Sequence, residues 1–68
     1  MSNGGVTWVV WKYMGTDQNG VELYYGVGHC LSTDTKPTQN MYNGSALLEM
    51  DTSKVCVFDA ANTRWREL

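Results

Sequence analysis

The most constraining feature of the sequence is a pair of short apolar runs that flank four polar residues in its C-terminal third. Residues 46–50 and 55–58 are rich in apolar and β-favouring side chains, and Asp51-Thr52-Ser53-Lys54 lies between them. This arrangement is typical of a β-hairpin. Asp51 is expected to start the turn, because its carboxylate can accept a hydrogen bond from the backbone N–H two residues on.

The same pattern repeats directly after this hairpin. The small and polar segment Asp59-Ala60-Ala61-Asn62-Thr63 is followed by Arg64-Trp65-Arg66-Glu67-Leu68. Asn62 is the residue expected to take the left-handed backbone conformation of the second turn. Trp65 is expected to pack across the hairpin. We therefore predict a three-stranded antiparallel meander over residues 45–68.

A second hairpin is predicted over residues 6–28. Residues 6–13 are dense in β-branched and aromatic side chains, and residues 21–27 alternate after the turn signal Asn19-Gly20. Strict alternation would place Trp8 on one face of the first strand and Trp11 on the other. Gly26 and Gly28 indicate a bulge or a close approach of two backbones.

The rest of the chain adds no further regular element. Residues 1–5 are expected to be a flexible lead-in, and residues 29–44 form a long connection between the hairpins. Neither contains a capped 3.6-residue apolar pattern. The expected fold is a single all-β domain over residues 6–68: a small antiparallel sheet of one hairpin and one meander, without substantial helix. The strand order between the two units stays open.

Aromatic content is the strongest functional signal. The chain has 68 residues, of which three are Trp, four are Tyr and one is Phe, and a domain of this size buries only about 60% of its unfolded surface. Many of these rings must form the core, but the remainder should mark a protein-binding surface. The interface candidates are Trp8, Trp11, Tyr13, Tyr24 and Tyr25.

Charge and hydropathy narrow the class of partner. Seven acidic and five basic side chains give a net charge of −2, which argues against a nucleic-acid partner. No apolar run approaches the roughly 20 residues of a membrane span, and no signal-peptide pattern is present. We expect a soluble chain made in the cytoplasm, with Cys30 and Cys56 reduced, although a disulfide between them stays open.

Catalytic and metal-binding constellations are not evident. His29, Cys30 and Cys56 lack the spacing of a zinc site, and His29 and Cys30 should point to opposite faces of a strand. Glu49, Asp51 and Asp59 could form paired carboxylates, but Asp51 and Asp59 lie where turn residues belong, so a structural role is favoured over an acid–base pair. We expect no enzyme activity and no cofactor or metal.

Five motifs lie within residues 26–68: Ser32-Thr33-Asp34-Thr35-Lys36-Pro37-Thr38, Asn43-Gly44-Ser45, Glu49-Met50-Asp51-Thr52-Ser53-Lys54-Val55, Phe58-Asp59 and Arg64-Trp65-Arg66-Glu67-Leu68. In these motifs the chain resembles small bacteriophage and prophage proteins of the virion-structure gene cluster. The family core is a hairpin followed by a tryptophan. Here Ser53 stands where that hairpin often has Gly, and Cys56 stands where an aromatic residue is common. Ser53 would then carry any left-handed turn conformation.

This resemblance implies a virion-associated structural or fibre role and names no catalytic residue. The implied partners are further copies of the chain, with a trimer as the first guess, or a capsid or tail protein. The implied location is the virion. The alternative is a carbohydrate- or cell-surface-binding β module of a phage adhesin, with exposed rings as stacking platforms.

Overall fold

The chain folds into one five-stranded sheet. The computed structural model describes residues 5–68, and this part of the chain contains strands and turns but no helix. The strands are β1 (Thr7–Thr16), β2 (Glu22–Cys30), β3 (Ala46–Glu49), β4 (Lys54–Asp59) and β5 (Arg64–Glu67). They lie side by side in chain order. The all-β prediction is confirmed, as are the N-terminal hairpin and the C-terminal meander. The predicted flexible lead-in falls mainly on residues 1–4, which lie outside the described residues.

One strand pair differs from the expected antiparallel sheet. β2 and β3 are parallel, whereas the other three neighbouring pairs are antiparallel. Parallel neighbours require a crossover of about a dozen residues or more, and the connection from Cys30 to Ala46 is long enough to supply one. The sheet is therefore mixed, and the aperiodic segment that joins the two predicted units sets their relative direction.

The β1–β2 turn follows its sequence signal. Asp17 accepts hydrogen bonds through Oδ1 from the backbone N–H groups of Asn19 at 2.8 Å and Val21 at 3.0 Å. Gly20 has a φ of 80°, a conformation that glycine adopts without steric cost. The predicted Asn19-Gly20 turn is confirmed.

The two C-terminal turns follow the prediction only in part. Ser53 takes the left-handed conformation, with a φ of 60°, as expected. The prediction for Asn62 is wrong, because Thr63 has the positive φ, at 52°. The Thr63 N–H donates to the carbonyl of Ala60 and closes the turn around Asn62, so the backbone reverses one residue later. The Asn62 amide instead donates to Asp59 Oδ2 at 2.8 Å.

An extra residue in β1 changes which aromatic side chains share a face. Trp8 pairs with Gly28 and Val10 with Val27, which leaves Val9 as a bulge. Because the bulge reverses the alternation, Trp8 and Trp11 lie on the same face, and the prediction of opposite faces is wrong. A side chain at Gly28 would overlap the backbone carbonyl of Thr7, so the expected close backbone approach is confirmed.

The crossover lies over one face of the sheet, which we call the crossover face. Lys36 Nζ lies 2.6 Å from Glu49 Oε2 in β3, and Trp65 Nε1 in β5 donates to the carbonyl of Pro37 at 2.8 Å. Trp65 also contacts Phe58 across the β4–β5 hairpin, with ring centroids 5.3 Å apart, as predicted. The buried apolar side chains are Val6, Cys30, Met41, Leu47, Cys56 and Phe58.

Asp51 does not act as predicted. Its carboxylate accepts from the Ser32 N–H at 2.9 Å and from Ser32 Oγ at 2.6 Å, whereas the Ser53 N–H donates to the carbonyl of Glu49. The expected bond to the residue two positions on was wrong, because the start of the crossover lies against this turn and supplies two donors. Asp51 therefore ties the crossover to the β3–β4 turn.

Candidate protein-interaction surfaces

Four aromatic rings form a continuous ladder on the β1–β2 hairpin, which we call the aromatic ladder. Its members are Trp8, Trp11, Tyr24 and Tyr13. Successive ring centroids lie 5.0, 5.1 and 5.5 Å apart, and Trp11 and Tyr24 are stacked at 12°. Such spacings are those of favourable ring pairs.

Glycine makes room for the ladder. A Cβ at Gly26 would lie 2.6 Å from Cζ3 of Trp8 and 3.0 Å from Cε3 of Trp11. Both indoles therefore lie directly over the bare backbone of β2. The sequence signal was the Gly26 and Gly28 spacing, but the bulge at Val9 was needed to place both rings there.

The ladder runs from the core into solvent. Trp8 packs against the buried cluster of Val6, Cys30 and Leu47. Trp11, which is next to Trp8, and Tyr13 at the other end are 50% and 52% exposed. Large aromatic surfaces left open in this way are a common mark of a protein-binding site.

The structure groups four of the five predicted interface residues. Trp8, Trp11, Tyr13 and Tyr24 lie together in the ladder, whereas Tyr25 faces the opposite side of the sheet, where it pairs with Lys12. The Tyr24 hydroxyl donates to Glu22 Oε1 at 3.2 Å, and this bond to a carboxylate raises the pKa of Tyr24. An acidic side chain therefore stands beside the ladder.

The opposite side of the sheet carries a second apolar surface, which we call the open face. Its apolar side chains are Val10, Tyr25, Val27, Ala46, Leu48, Val55 and Val57. In-register pairing aligns Val10, Val27, Ala46 and Val57 in one row across four strands. None of the seven is buried, and Val10, Leu48 and Val55 are 44%, 38% and 38% exposed. Sequence reasoning missed this surface, although the alternation within β2, β3 and β4 is its signal.

Charge is distributed unevenly between the two faces. Lys12, Arg64 and Arg66 belong to the open face. Among residues 5–68, Asp59 is the one carboxylate of this face, and its Oδ2 lies 2.6 Å from Arg66 Nε. The open face thus has a formal charge of +2 in a chain whose net charge is −2. The crossover face and the turns together carry the balance of −4.

A polar cluster lies beneath the crossover. Glu49 accepts from Lys36 Nζ at 2.6 Å and from Thr52 Oγ1 at 2.7 Å, and these bonds lower the pKa of Glu49. The hydrogen bond to Glu49 raises the pKa of Lys36. The pair therefore stays ionised at neutral pH and holds the crossover on the sheet.

The two thiols lie close to this pair. Cys56 Sγ is 3.8 Å from Glu49 Oε2, and burial raises the pKa of both Cys30 and Cys56. Both cysteines are free in the structure. A raised pKa keeps a thiol protonated and weakly nucleophilic, so neither cysteine is set up as a nucleophile.

The structure separates His29 from Cys30, the pair of residues considered for nucleophilic chemistry. His29 pairs with Thr7 and Leu48 on the open face, whereas Cys30 is buried on the other side. Within residues 5–68, no three His, Cys, Asp or Glu side chains are grouped so that they could hold a metal ion. No helix in that range is long and apolar enough to cross a bilayer.

A shallow cleft lies between the β1–β2 turn and the end of the crossover. It has a volume of about 420 Å³, and Leu23, Met41 and Phe58 form its apolar walls. Asp17 at its rim is bound into its own turn, and Asn43 Oδ1 accepts from the Ala60 N–H at 3.0 Å. Both side chains therefore already accept hydrogen bonds from backbone N–H groups of the protein.

Comparisons with models of known protein families, with curated protein sequences and with solved structures find no match to this chain.

Proposed function

We propose that this chain is a non-enzymatic structural or accessory module of a phage particle, which assembles with copies of itself or with capsid or tail proteins. The phage setting comes from the resemblance of residues 26–68, and the mode of action comes from the surfaces of the sheet. Fibre-like trimeric assembly is the first arrangement to test.

The observation that carries the proposal is the half-exposed aromatic ladder. Trp11 and Tyr13 leave about half of their surface in water. Few apolar side chains of residues 5–68 are buried, so the sheet does not cover these two rings itself. Interface energy concentrates in large rings of this kind. Contact with another subunit would cover them without any change to the sheet.

The experiment is replacement of Tyr13 by Gln in the full chain, followed by light scattering and sedimentation. We expect the wild type to associate and Tyr13→Gln to raise its dissociation constant about tenfold or more. The fold should persist, because the Tyr13 ring packs on Tyr24 at the exposed end of the ladder.

Tyr42→Gln is the matched control, since the Tyr42 side chain is exposed and is not one of the four stacked rings. Its bond to Tyr24 is made by the backbone N–H, which the substitution retains. We expect it to associate as the wild type does. A wild type that is monomeric at all concentrations, together with its absence from purified virions by mass spectrometry, would refute the proposal. Unfolding of Tyr13→Gln without a folded monomer would assign the ring to the core instead.

Carbohydrate binding is the second candidate, favoured by the open surfaces of Trp11 and Tyr13. Titration of tryptophan fluorescence with cell-wall polysaccharide discriminates the two. A saturable shift that is lost in Trp11→Ala would support sugar stacking, and a flat response would support subunit contact.

A further inference from the structure

We propose that the aromatic ladder of one copy packs against the open face of a second copy, so that the chain assembles head to tail. This inference rests on the proposed function and names the partner of the ladder. The proposed contact joins two different surfaces, one from each copy, whereas a symmetric dimer would use the same surface of both copies.

Charge complementarity is the first argument. The open face carries Lys12, Arg64 and Arg66 against Asp59, which gives it a formal charge of +2. The remaining charged side chains sum to −4, so that the chain as a whole has a net charge of −2. Glu22 lies beside the ladder, where it accepts from Tyr24. Contact between the ladder and the open face brings Glu22 towards the positively charged open face, whereas contact between two open faces brings like charges together.

Shape and chemistry also match. The open face is an aliphatic surface, in which Val10, Val27, Ala46 and Val57 align in one row. The ladder presents the large rings of Trp11 and Tyr13. Rings on one partner against an apolar surface that excludes water on the other are typical of interface centres.

The dimensions of the molecule allow a contact of this kind. Its two longer extents, 36 and 25 Å, set an upper limit of about 900 Å² on the footprint of one face, and a stable interface buries about 800 Å² on each partner. The ladder lies on the β1–β2 hairpin, so a contact of that size also includes the side chains around the ladder. Since the two patches differ, repetition of this contact generates a closed ring or an open filament.

The test uses one variant in each surface and their mixture. Val10→Glu alters the open face and Tyr13→Glu alters the ladder, while Gln18→Glu adds the same charge in the exposed β1–β2 turn. Each full-length chain is studied by sedimentation and light scattering, with circular dichroism to verify its fold. Leu48→Glu and Trp11→Glu replace the first two variants if either fails to fold.

We expect each surface variant alone to have a dissociation constant at least about tenfold higher than that of the wild type. Gln18→Glu should associate as the wild type does. An equimolar mixture of Val10→Glu and Tyr13→Glu should form particles of two chains that do not grow, because the mixture contains one intact ladder and one intact open face per pair.

Two results would overturn the inference while the proposed function stands. One is association of Val10→Glu alone with wild-type affinity, which would show contact between two ladders, whereas wild-type affinity of Tyr13→Glu would overturn the inference and the proposed role of the ladder together. The other is a mixture that stays monomeric although the wild type associates. A monomeric wild type would overturn the inference as well, and detection in virions would then decide whether the chain binds a capsid or tail protein.

Discussion

Asp59 shows how one side chain organises a turn. Its Oδ2 accepts from Asn62 Nδ2 at 2.8 Å and from Arg66 Nε at 2.6 Å. These two bonds, that of Asn62 first, lower the pKa of Asp59 from 3.8 to about 2. Hydrogen bonds to a carboxylate favour its charged form, so this residue links the stability of the β4–β5 turn to pH.

The sign of this linkage gives a prediction for acid stability. Because the folded pKa lies below the unfolded one, Asp59 stabilises the fold above pH 3.8, and the contribution is lost as the pH falls towards about 2. We expect Asp59→Asn to lose less of its free energy of unfolding than the wild type over this interval. Denaturant unfolding at a series of acidic pH values measures the difference.

Asn62→Ala provides an independent readout of the same bonds. It removes the principal donor and should raise the pKa of Asp59 in an NMR titration of the carboxyl group. An unchanged carboxyl titration in Asn62→Ala, or parallel acid profiles for Asp59→Asn and the wild type, would contradict this account.

At the level of elements, the pairing of β1 with β2 depends on two glycines that act differently. A Cβ at Gly28 would overlap the carbonyl oxygen of Thr7, which belongs to the backbone. A Cβ at Gly26 would meet the rings of Trp8 and Trp11. A ring edge can shift more easily than a paired strand.

We therefore expect Gly28→Ala to destabilise the fold more than Gly26→Ala does. Gly28→Ala should separate β1 from β2 locally, because the two backbones can no longer approach. Gly26→Ala should retain the fold and change the tryptophan fluorescence as the indoles move. Thermal unfolding and hydrogen exchange of the β1 amides make the comparison, and equal losses in both variants would be the contrary result.

For the whole molecule, stability depends on a small buried core on one side of the sheet. Leu47 is fully buried at the centre of β3, while its neighbour Leu48 points to the open face and is 38% exposed. A protein of this length has a total stability of roughly 3 to 10 kcal/mol. The free energy lost by creating a single cavity at the centre is therefore a large fraction of the total free energy of unfolding.

Leu47→Ala is expected to lower the free energy of unfolding by about 2 to 5 kcal/mol. Leu48→Ala removes the same atoms from a half-exposed site, so its loss in stability should be less than half as large. Urea unfolding at one fixed protein concentration compares the two, because association would otherwise shift the transitions. Similar losses would show that the open face is covered in solution as fully as the core.

The local pattern of the sequence determined the elements of this protein. Alternating apolar residues, the Asn19-Gly20 turn and the polar segment 51–54 identify four strands and their hairpins, because each of these signals involves neighbours in the chain. Trp65 was placed against its hairpin for the same reason.

Tertiary structure decided how those elements combine. The parallel pairing of β2 with β3, the bonds of Asp51 to Ser32 and the bond of Trp65 to Pro37 join residues far apart in sequence. The bulge at Val9 appears only when β1 is registered against β2, and it alone unites Trp8 and Trp11 in one ladder. Short-range patterns are encoded residue by residue, whereas register and crossover direction depend on the packing of the complete chain.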